Sequence, residues 1–197
     1  MEDGTLQITA GRRTLELSKP DKLMFPAASV AKADVVEFYR QIAPVILPHL
    51  KSRPLTLKLY PDGIDGKHLY LKNAPSHTPQ WVKRFAVERK GKSRQSALIH
   101  YVLVNDPATL LWAAGLTSLE MHTFLAKAPR IDRPLSVVFD LDPGPPAGIF
   151  ECIEVAFVIK GLLDELGLEC YAKVSGSKGL QLYVPLNMAV TTERGLP

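Results

Sequence analysis

Residues 137–144, Val-Val-Phe-Asp-Leu-Asp-Pro-Gly, constrain the fold of this chain most strongly, because they join an apolar strand to two acidic side chains. On a β-strand, residues i and i+2 face the same side of the sheet. Asp140 and Asp142 are therefore expected to point together, while Leu141 points to the opposite face. A chain with such a segment needs a sheet that has one buried face and an end open to solvent.

Two carboxylates on one side of a strand repel each other unless a cation lies between them. Mg²⁺ and Mn²⁺ are hard cations that take carboxylate oxygens and keep coordination sites for phosphates. Such metals can align an attacking hydroxyl with a nucleoside triphosphate. The pattern predicts a divalent metal at Asp140 and Asp142. The alternative is that both aspartates only cap the Pro-Gly loop that follows, because an Asp-x-Asp pattern is short and common.

A second chemical signal lies in residues 175–179, Ser-Gly-Ser-Lys-Gly, between two predicted strands. Glycines let backbone amides approach an anion, Ser175 and Ser177 offer hydroxyl donors, and Lys178 supplies a positive charge. This chemistry suits a triphosphate, although the GxxxxGK[ST] spacing of a P-loop is absent. An ordinary hairpin turn with a solvated lysine is the alternative interpretation.

Apolar periodicity predicts a mixed order of helices and strands. Ser29 and Asp106 as cap residues, together with helical spacing, predict helices over residues 29–50 and 106–125. A third helix is predicted over residues 150–166, with Gly167 as its stop. A pair of short strands is expected around residues 11–13. Further strand-like runs cover residues 55–60, 68–72, 98–104, 135–141, 168–174 and 180–186.

Three further side chains are candidates for binding, each with a structural alternative. Lys58 lies on a predicted strand, where it could reach a phosphate or simply face solvent. Tyr70 could stack on a base or pack in the core. His122 falls late in the predicted second helix, where a histidine is commonly a core or cap residue.

Composition and charge narrow the class of protein. Apolar residues make up 46% of the 197 residues, which is enough for a real core. The formal net charge of +4 is compatible with a nucleic-acid partner. Cys152 and Cys170 form no CxxC or Cys/His cluster, which argues against structural zinc. No segment has the pattern of a signal peptide or a membrane span, so a cytoplasmic location is expected.

Taken together, several motifs resemble the polymerase domain of bacterial ligase D, in the archaeo-eukaryotic primase superfamily. The resemblance runs from about residue 5 to about residue 192. The motifs occur in the family's order, and this order carries the resemblance because each motif alone is weak. They are KPDKLMFP at 19–26, RPLTLK at 53–58 with YPDG at 60–63, KNAP at 72–75, LEMH at 119–122, FDLDPG at 139–144 and SGSKG at 175–179.

The resemblance implies an α+β fold, with a primase-polymerase core of mixed β-sheet flanked by helices in a single domain over residues 1–197. It also implies a nucleotidyltransferase that adds nucleotides, often ribonucleotides, to DNA ends in non-homologous end joining. Manganese, or magnesium in its place, is the implied cofactor. The implied partners are DNA ends or gapped DNA, nucleoside triphosphates, Ku and a DNA ligase, which places the protein at the bacterial nucleoid.

The resemblance also implies roles for individual residues. Asp140 and Asp142 match two of the family's three metal-binding carboxylates, and Tyr70 matches the aromatic position beneath the nucleotide base. The positions that match residues holding the triphosphate are Lys58, His122, Ser175 and Lys178, with Ser177 in the same loop. Lys22 and Lys32 match basic residues that grip a 5′-phosphate at a gap, and Lys19 falls at a position where an asparagine serves the same site in the family.

Two departures from the family pattern affect the expected activity. Gln181 stands where the superfamily often carries a histidine, and a glutamine can donate a hydrogen bond to phosphate but carries no charge. The third aspartate is expected on a later strand, so the C-terminal strands are expected to be missing from this sequence. The alternative function is therefore a truncated, non-catalytic module that binds the 5′-phosphate of DNA ends.

Overall fold

The computed structural model describes residues 4–88, 98–174, 176 and 178–186, which form three α-helices and twelve β-strands. This confirms the predicted α+β class. The helices are α1 (Lys32–Leu50), α2 (Pro107–Gly115) and α3 (Ile149–Glu165). The strands are β1 (Thr5–Ala10), β2 (Arg13–Ser18), β3 (Leu23–Phe25), β4 (Val30–Ala31), β5 (Pro54–Leu59), β6 (Leu69–Leu71), β7 (Arg84–Glu88), β8 (Leu98–Leu103), β9 (Ser118–Thr123), β10 (Ser136–Leu141), β11 (Tyr171–Val174) and β12 (Leu180–Pro185).

The chain divides into two compact units, Met1–Phe124 and Leu125–Pro197, which we call unit 1 and unit 2. A single domain over residues 1–197 stays a prediction. Among the helices of the described segments, none has both the length and the apolar character needed to cross a bilayer.

Unit 1 is built around strand β5, which pairs antiparallel with three other strands. Strand β9 lies along one edge of β5, and β8 and β6 follow each other along the opposite edge. Leu55 and Leu57 of β5 are almost fully buried, whereas Lys58 between Leu57 and Leu59 is only partly covered. This alternation places the polar side chains of β5 on one face and its core residues on the other.

Helix α1 begins at Lys32, so the prediction that Ser29 caps it is wrong. Ser29 instead ends a short 3-10 helix with a left-handed backbone at φ 52°. The carboxylate of Asp34 accepts a hydrogen bond from the Ala31 amide at 2.8 Å, and this contact closes the helix N-terminus. The amides of Lys32 and Ala33 donate to carbonyls of the preceding turn at Lys22 and Pro20.

Helix α2 ends at Gly115, which shortens the predicted helix over residues 106–125 by ten residues. Asp106 caps its start as predicted, because its carboxylate accepts the Thr109 amide at 3.0 Å. Thr117 then takes a left-handed backbone at φ 65°, and the chain continues as strand β9. Pairing with β5 outweighs the helical spacing of the apolar residues in this segment.

Unit 2 contains a three-stranded antiparallel sheet in the order β10-β12-β11. Leu180 and Leu182 of β12, with Phe139 and Leu141 of β10, pack against Cys152 and other residues of α3. Glu151 accepts the Gly148 amide at 2.6 Å and closes the helix start. Gly167 follows the helix with φ at +68°, which is the stop that its sequence position predicts.

Candidate functional site

The predicted acidic pair lies at the end of strand β10 in unit 2. Asp140 is on the strand and Asp142 follows its last residue, and both side chains are exposed. Leu141 packs in the core beneath the sheet, as the strand alternation predicts. Strand β10 emerges from that core just where the two acids stand, so the carboxylates are held on a rigid element and remain open to solvent.

Each carboxylate has one neighbouring side-chain donor, at a distance that is long for a hydrogen bond. The amide nitrogen Nε2 of Gln181 lies 3.3 Å from Oδ1 of Asp140, because these residues are direct partners in the β10–β12 pairing. The ammonium Nζ of Lys178 lies 3.5 Å from Oδ1 of Asp142 and donates to the Pro143 carbonyl at 2.9 Å. Such contacts at exposed positions are weak, so a ligand can compete for the carboxylates.

Strands β11 and β12 pair antiparallel, and residues 175–179 lie between them in the sequence, as predicted. Gly176 has φ at +93°, a backbone conformation that favours glycine and allows the tight turn. Lys178 lies in this connection beside Asp142, so the hairpin and the acidic pair meet within unit 2. Ser175 and Ser177 lie outside the described residues, and their predicted phosphate contacts stay predictions.

The exposed face of this sheet carries a polar row beside the acids. Asp140, Gln181 and Lys173 are register partners across the three strands. The Tyr183 hydroxyl donates to Oε1 of Gln181 at 3.1 Å, and Nζ of Lys173 lies 3.4 Å from the same hydroxyl. The Gln181 oxygen is thus occupied, which turns its amide nitrogen toward Asp140. Tyr183 and Lys173 were not predicted, and strand alternation from Gln181 is the signal that could have found Tyr183.

Three predicted residues of unit 1, Lys58, Tyr70 and His122, lie close together around Glu120. The Lys58 ammonium lies 2.6 Å from Oε1 of Glu120, and Nε2 of His122 lies 3.0 Å from Oε2. Rings of Tyr70 and His122 are in edge contact with centroids 6.1 Å apart. The Lys58 ammonium also lies 5.8 Å from the centroid of the Tyr70 ring. His122 is on strand β9, so the prediction that it lies in a helix is wrong.

Glu120, Tyr60 and His68 complete this cluster and were missed by the sequence prediction. The Tyr60 hydroxyl donates to Oε1 of Glu120 at 2.5 Å. The His68 ring lies between the rings of Tyr60 and Tyr70, at centroid distances of 5.7 and 5.5 Å. Had residues 118–123 been predicted as a strand, alternation would have placed Glu120 on the same face as His122.

Hydrogen bonding keeps the central pair of this cluster charged. The hydrogen bond to Glu120, and after it that to Tyr60, raises the pKa of Lys58 above its ordinary value. Burial alone would raise the pKa of Glu120, but hydrogen bonds from Lys58 and Tyr60 outweigh burial and lower that pKa. Lys58 is therefore a cation and Glu120 an anion at neutral pH.

Three predicted lysines lie around the turn that precedes α1. Lys32 is only 5% exposed, and its ammonium donates to the Ser18 carbonyl at 2.8 Å. The Lys22 ammonium contacts the Pro61 carbonyl and lies 3.5 Å from Oδ1 of Asp62. Burial, followed by the charges of Lys22 and Lys19, lowers the pKa of Lys32. The ammonium of Lys32 is therefore destabilised by the neighbouring positive charges, and an anion at this turn would relieve that repulsion.

The acidic pair can be tested for its fit to a divalent metal. Both carboxylates are exposed and weakly held, and oxygen donors are what Mg²⁺ and Mn²⁺ prefer. Across the described parts of the chain, no group of three or more histidine, cysteine or acidic side chains is placed to hold a metal. The oxygen donors of Asp140 and Asp142 thus suit such an ion as two of its ligands.

Comparisons with known proteins agree on one family. The family described as LigD, primase-polymerase domain, matches residues 31–195. The multifunctional non-homologous end joining protein LigD of Mycolicibacterium smegmatis is 36% identical over 174 residues, which are 87% of this chain and 22% of that protein. The bifunctional non-homologous end joining protein LigD of Bacillus subtilis is 31% identical over 173 residues, covering 88% of this chain and 27% of that protein.

A solved structure supports the same relationship. The polymerase domain of Mycobacterium tuberculosis ligase D in complex with DNA superimposes with a TM-score of 0.76 and 32% sequence identity. The match covers 87% of this chain and 61% of that polymerase domain. The chain therefore spans about a quarter of the curated relatives and less than two thirds of the solved domain.

Proposed function

Because the chain belongs to the family of LigD primase-polymerase domains, we propose that it is a nucleotidyltransferase that adds nucleotides to primer 3′ ends at gaps or breaks in non-homologous end joining. In this reaction the 3′-hydroxyl loses its proton and attacks the α-phosphate of a nucleoside triphosphate, and pyrophosphate leaves. The observation that carries the proposal is the exposed pair Asp140 and Asp142 at the end of β10, with Lys178 beside it.

Asp140 and Asp142 are the proposed ligands of Mn²⁺ or Mg²⁺. Such an ion, when bound, neutralises charge on the triphosphate and favours loss of pyrophosphate. Gln181 holds Asp140 from the neighbouring strand, which limits the rotation of this carboxylate. Lys178 is anchored on the Pro143 carbonyl and brings a positive charge to the same end of β10 for a phosphate oxygen. Ser175 and Ser177 are proposed as hydroxyl donors from the same loop.

Lys58, His122 and Tyr70 of unit 1 are proposed to bind nucleotide. Lys58 and His122 carry N–H groups that suit phosphate oxygens. The Tyr70 side chain is 57% exposed, so its ring is open to stack against a base. Among the described residues these three share one surface cluster, which supports a common ligand.

DNA ends or gapped DNA are the proposed substrates together with nucleoside triphosphates, and the solved relative was captured in complex with DNA. Ku and a DNA ligase are proposed as partners, because the relatives are end-joining proteins. A protein with these substrates is expected to act at the bacterial nucleoid.

The test is the substitution Asp140→Asn, measured by manganese-dependent extension of a primer at a gap. Loss of one carboxylate charge is expected to slow extension by about a hundredfold or more. Stability should change little, since the Asp140 side chain is exposed and its contact to Gln181 is long. Asp164→Asn, an exposed aspartate of α3 paired with Lys160, is the matched control and should extend at the wild-type rate. Equal rates for Asp140→Asn and the wild-type chain would remove the catalytic proposal.

A second candidate function is recognition of a 5′-phosphate without catalysis, and the cluster of Lys19, Lys22 and Lys32 favours it. Such a protein would be inert in primer extension but would bind a 5′-phosphorylated gap more tightly than the unphosphorylated gap. Measuring both affinities beside the extension assay separates the two candidates. Equal affinities for the two gaps would exclude end recognition by these lysines.

A further inference from the structure

The carboxylate of Glu120 is shared by three donors: Lys58 of β5, Tyr60 just after that strand, and His122 of β9. Its Oε1 accepts hydrogen bonds from Lys58 at 2.6 Å and from Tyr60 at 2.5 Å, and its Oε2 lies 3.0 Å from Nε2 of His122. Lys58 and Glu120 are direct partners in the β5–β9 pairing. The strand register therefore places the Lys58 and Glu120 side chains next to each other.

This cluster lies at the surface and is open to a ligand. The side chains of Glu120 and His122 are 41% and 50% exposed, whereas Lys58 is 16% exposed. A pair of surface charges adds little to stability. The position of Glu120 is therefore better explained by orientation of Lys58 and His122 than by a contribution to the stability of the fold.

We propose that Glu120 is a positioning residue, which orients Lys58 and His122 for the phosphates of the nucleotide; this rests on the proposed function. An ammonium has three N–H donors, and Glu120 takes one of them. The Lys58 ammonium is further confined near the Tyr60 and Tyr70 rings, at 5.3 and 5.8 Å from their centroids. The donors not directed at Glu120 then keep a defined direction, so less rotational freedom is lost when a phosphate binds.

For His122 the same carboxylate selects the ring orientation. Nε2 faces Glu120, so this nitrogen carries the proton and donates to the carboxylate. Nδ1 is left facing away from Glu120. A carboxylate that fixes a histidine in this way acts through the histidine and needs no contact with the substrate.

An opposite effect of Glu120 is physically possible, and experiment can distinguish the two. If the carboxylate competed with phosphate for Lys58, its removal would tighten nucleotide binding. If it orients Lys58 and His122, its removal weakens binding. The neutral, nearly isosteric substitution Glu120→Gln separates these outcomes by the direction of the change.

The first measurement is the Kd of a fluorescent nucleoside triphosphate with Mn²⁺, together with KM and kcat for primer extension. We expect Glu120→Gln to raise Kd and KM by about tenfold, the effect of a weakened charge-assisted hydrogen bond. The value of kcat should change little, because phosphate binding by Lys58 and His122 is made before the chemical step. Glu37→Gln, at an exposed glutamate of α1 paired with Arg40, is the matched control and should bind as wild type does. A Kd that falls or stays constant in Glu120→Gln overturns the proposal.

A double-mutant cycle with Lys58→Met tests whether Glu120 acts through Lys58. We expect the double substitution to lose less affinity than the sum of the losses in the two single substitutions, since one of the two groups that Glu120 orients is already missing. Fully additive losses would show that Glu120 acts elsewhere and would contradict the proposal.

Nitrogen NMR of the His122 ring gives a readout that needs no nucleotide. In the wild-type chain the ring signals should show a proton on Nε2, and Glu120→Gln should shift them. Identical ring signals in the two proteins would refute the orienting role. If the wild-type chain binds no nucleotide, the proposed function fails, and the ring signals still decide whether Glu120 orients His122.

Discussion

At the residue scale, Lys32 shows how burial changes the chemistry of one charged side chain. The residue is buried, and its ammonium donates to the Ser18 carbonyl, a neutral acceptor that does not balance the charge. Burial and the charges of Lys22 and Lys19 lower its pKa. A phosphate at this turn would supply a negative charge to Lys32, as the proposed 5′-phosphate site requires.

This leads to a prediction about pH. A phosphate binds the protonated form of Lys32, so the affinity for a 5′-phosphorylated gap should fall as pH rises through the lowered pKa of Lys32. The fall should begin below the ordinary lysine pKa of 10.5. Binding assays from pH 7 upward check this, and Lys32→Met should bind more weakly and lose this early fall. Lys51→Met, at an exposed lysine just after α1, is the control. A Lys32→Met protein that keeps the wild-type pH profile would contradict the prediction.

The lowered pKa of Lys32 also affects stability, which should rise with pH whereas phosphate affinity falls. A lysine whose pKa is lowered by folding binds fewer protons in the folded chain than in the unfolded chain. The free energy of unfolding should therefore rise as pH increases from the lowered pKa toward 10.5. Lys32→Met should remove this rise without destabilising the protein at neutral pH, because a buried charge is replaced by an apolar chain of similar length.

At the scale of elements, the segment from Asp106 to Thr123 shows how pairing overrides local pattern. Its apolar residues follow helical spacing, yet the helix ends at Gly115 and residues 118–123 join the sheet beside β5. The start of the helix is set locally, because Asp106 accepts both the amide and the hydroxyl of Thr109. The cap therefore contributes to stability independently of where the helix ends.

We predict that Asp106→Ala lowers the free energy of unfolding of unit 1 by about 1 kcal/mol, as the loss of an N-terminal helix cap does. Urea unfolding followed by tryptophan fluorescence measures this, because Trp81 and Trp112, the two tryptophans of the chain, both lie in unit 1. Asp65→Ala, at an exposed loop position, should change the same quantity by less than about 0.5 kcal/mol. If Asp106→Ala lowers the free energy of unfolding no more than Asp65→Ala does, the cap does not contribute to stability.

At the scale of the whole molecule, the positive net charge is the property that bears on DNA binding. The formal net charge is +4, and Lys19, Lys22 and Lys32 cluster near one turn. Binding of DNA through lysine–phosphate contacts releases counterions, so affinity should fall as salt concentration rises. A protein that bound DNA ends through apolar contacts alone would show little of this dependence.

The prediction is a linear decrease of the logarithm of DNA affinity with the logarithm of salt concentration. Lys22→Met should reduce the slope by about one, the change expected for loss of one phosphate contact. The reduction should be seen with 5′-phosphorylated gaps, and Lys51→Met should leave the slope unchanged. The same slope for Lys22→Met and the wild-type chain would mean that Lys22 does not contact phosphate.

Features that depend on a few neighbouring residues could be predicted from the sequence alone. Alternation placed Asp140 on a strand with Leu141 in the core, glycines marked the hairpin before β12 and the end of α3, and Asp106 marked a helix start. Ordered motifs identified the family and with it the α+β class. Each of these signals depends on local backbone geometry or on the order of residues along the sequence.

The tertiary structure decided which distant residues meet. Lys58 and Glu120 are separated by 62 positions and become neighbours only because β5 pairs with β9 in one register. The same pairing turned a predicted helix into a strand and moved His122 to the sheet, while packing of the turn before α1 buried Lys32. Pairing and burial depend on free energies summed over many contacts, and a local window of sequence does not contain those contacts.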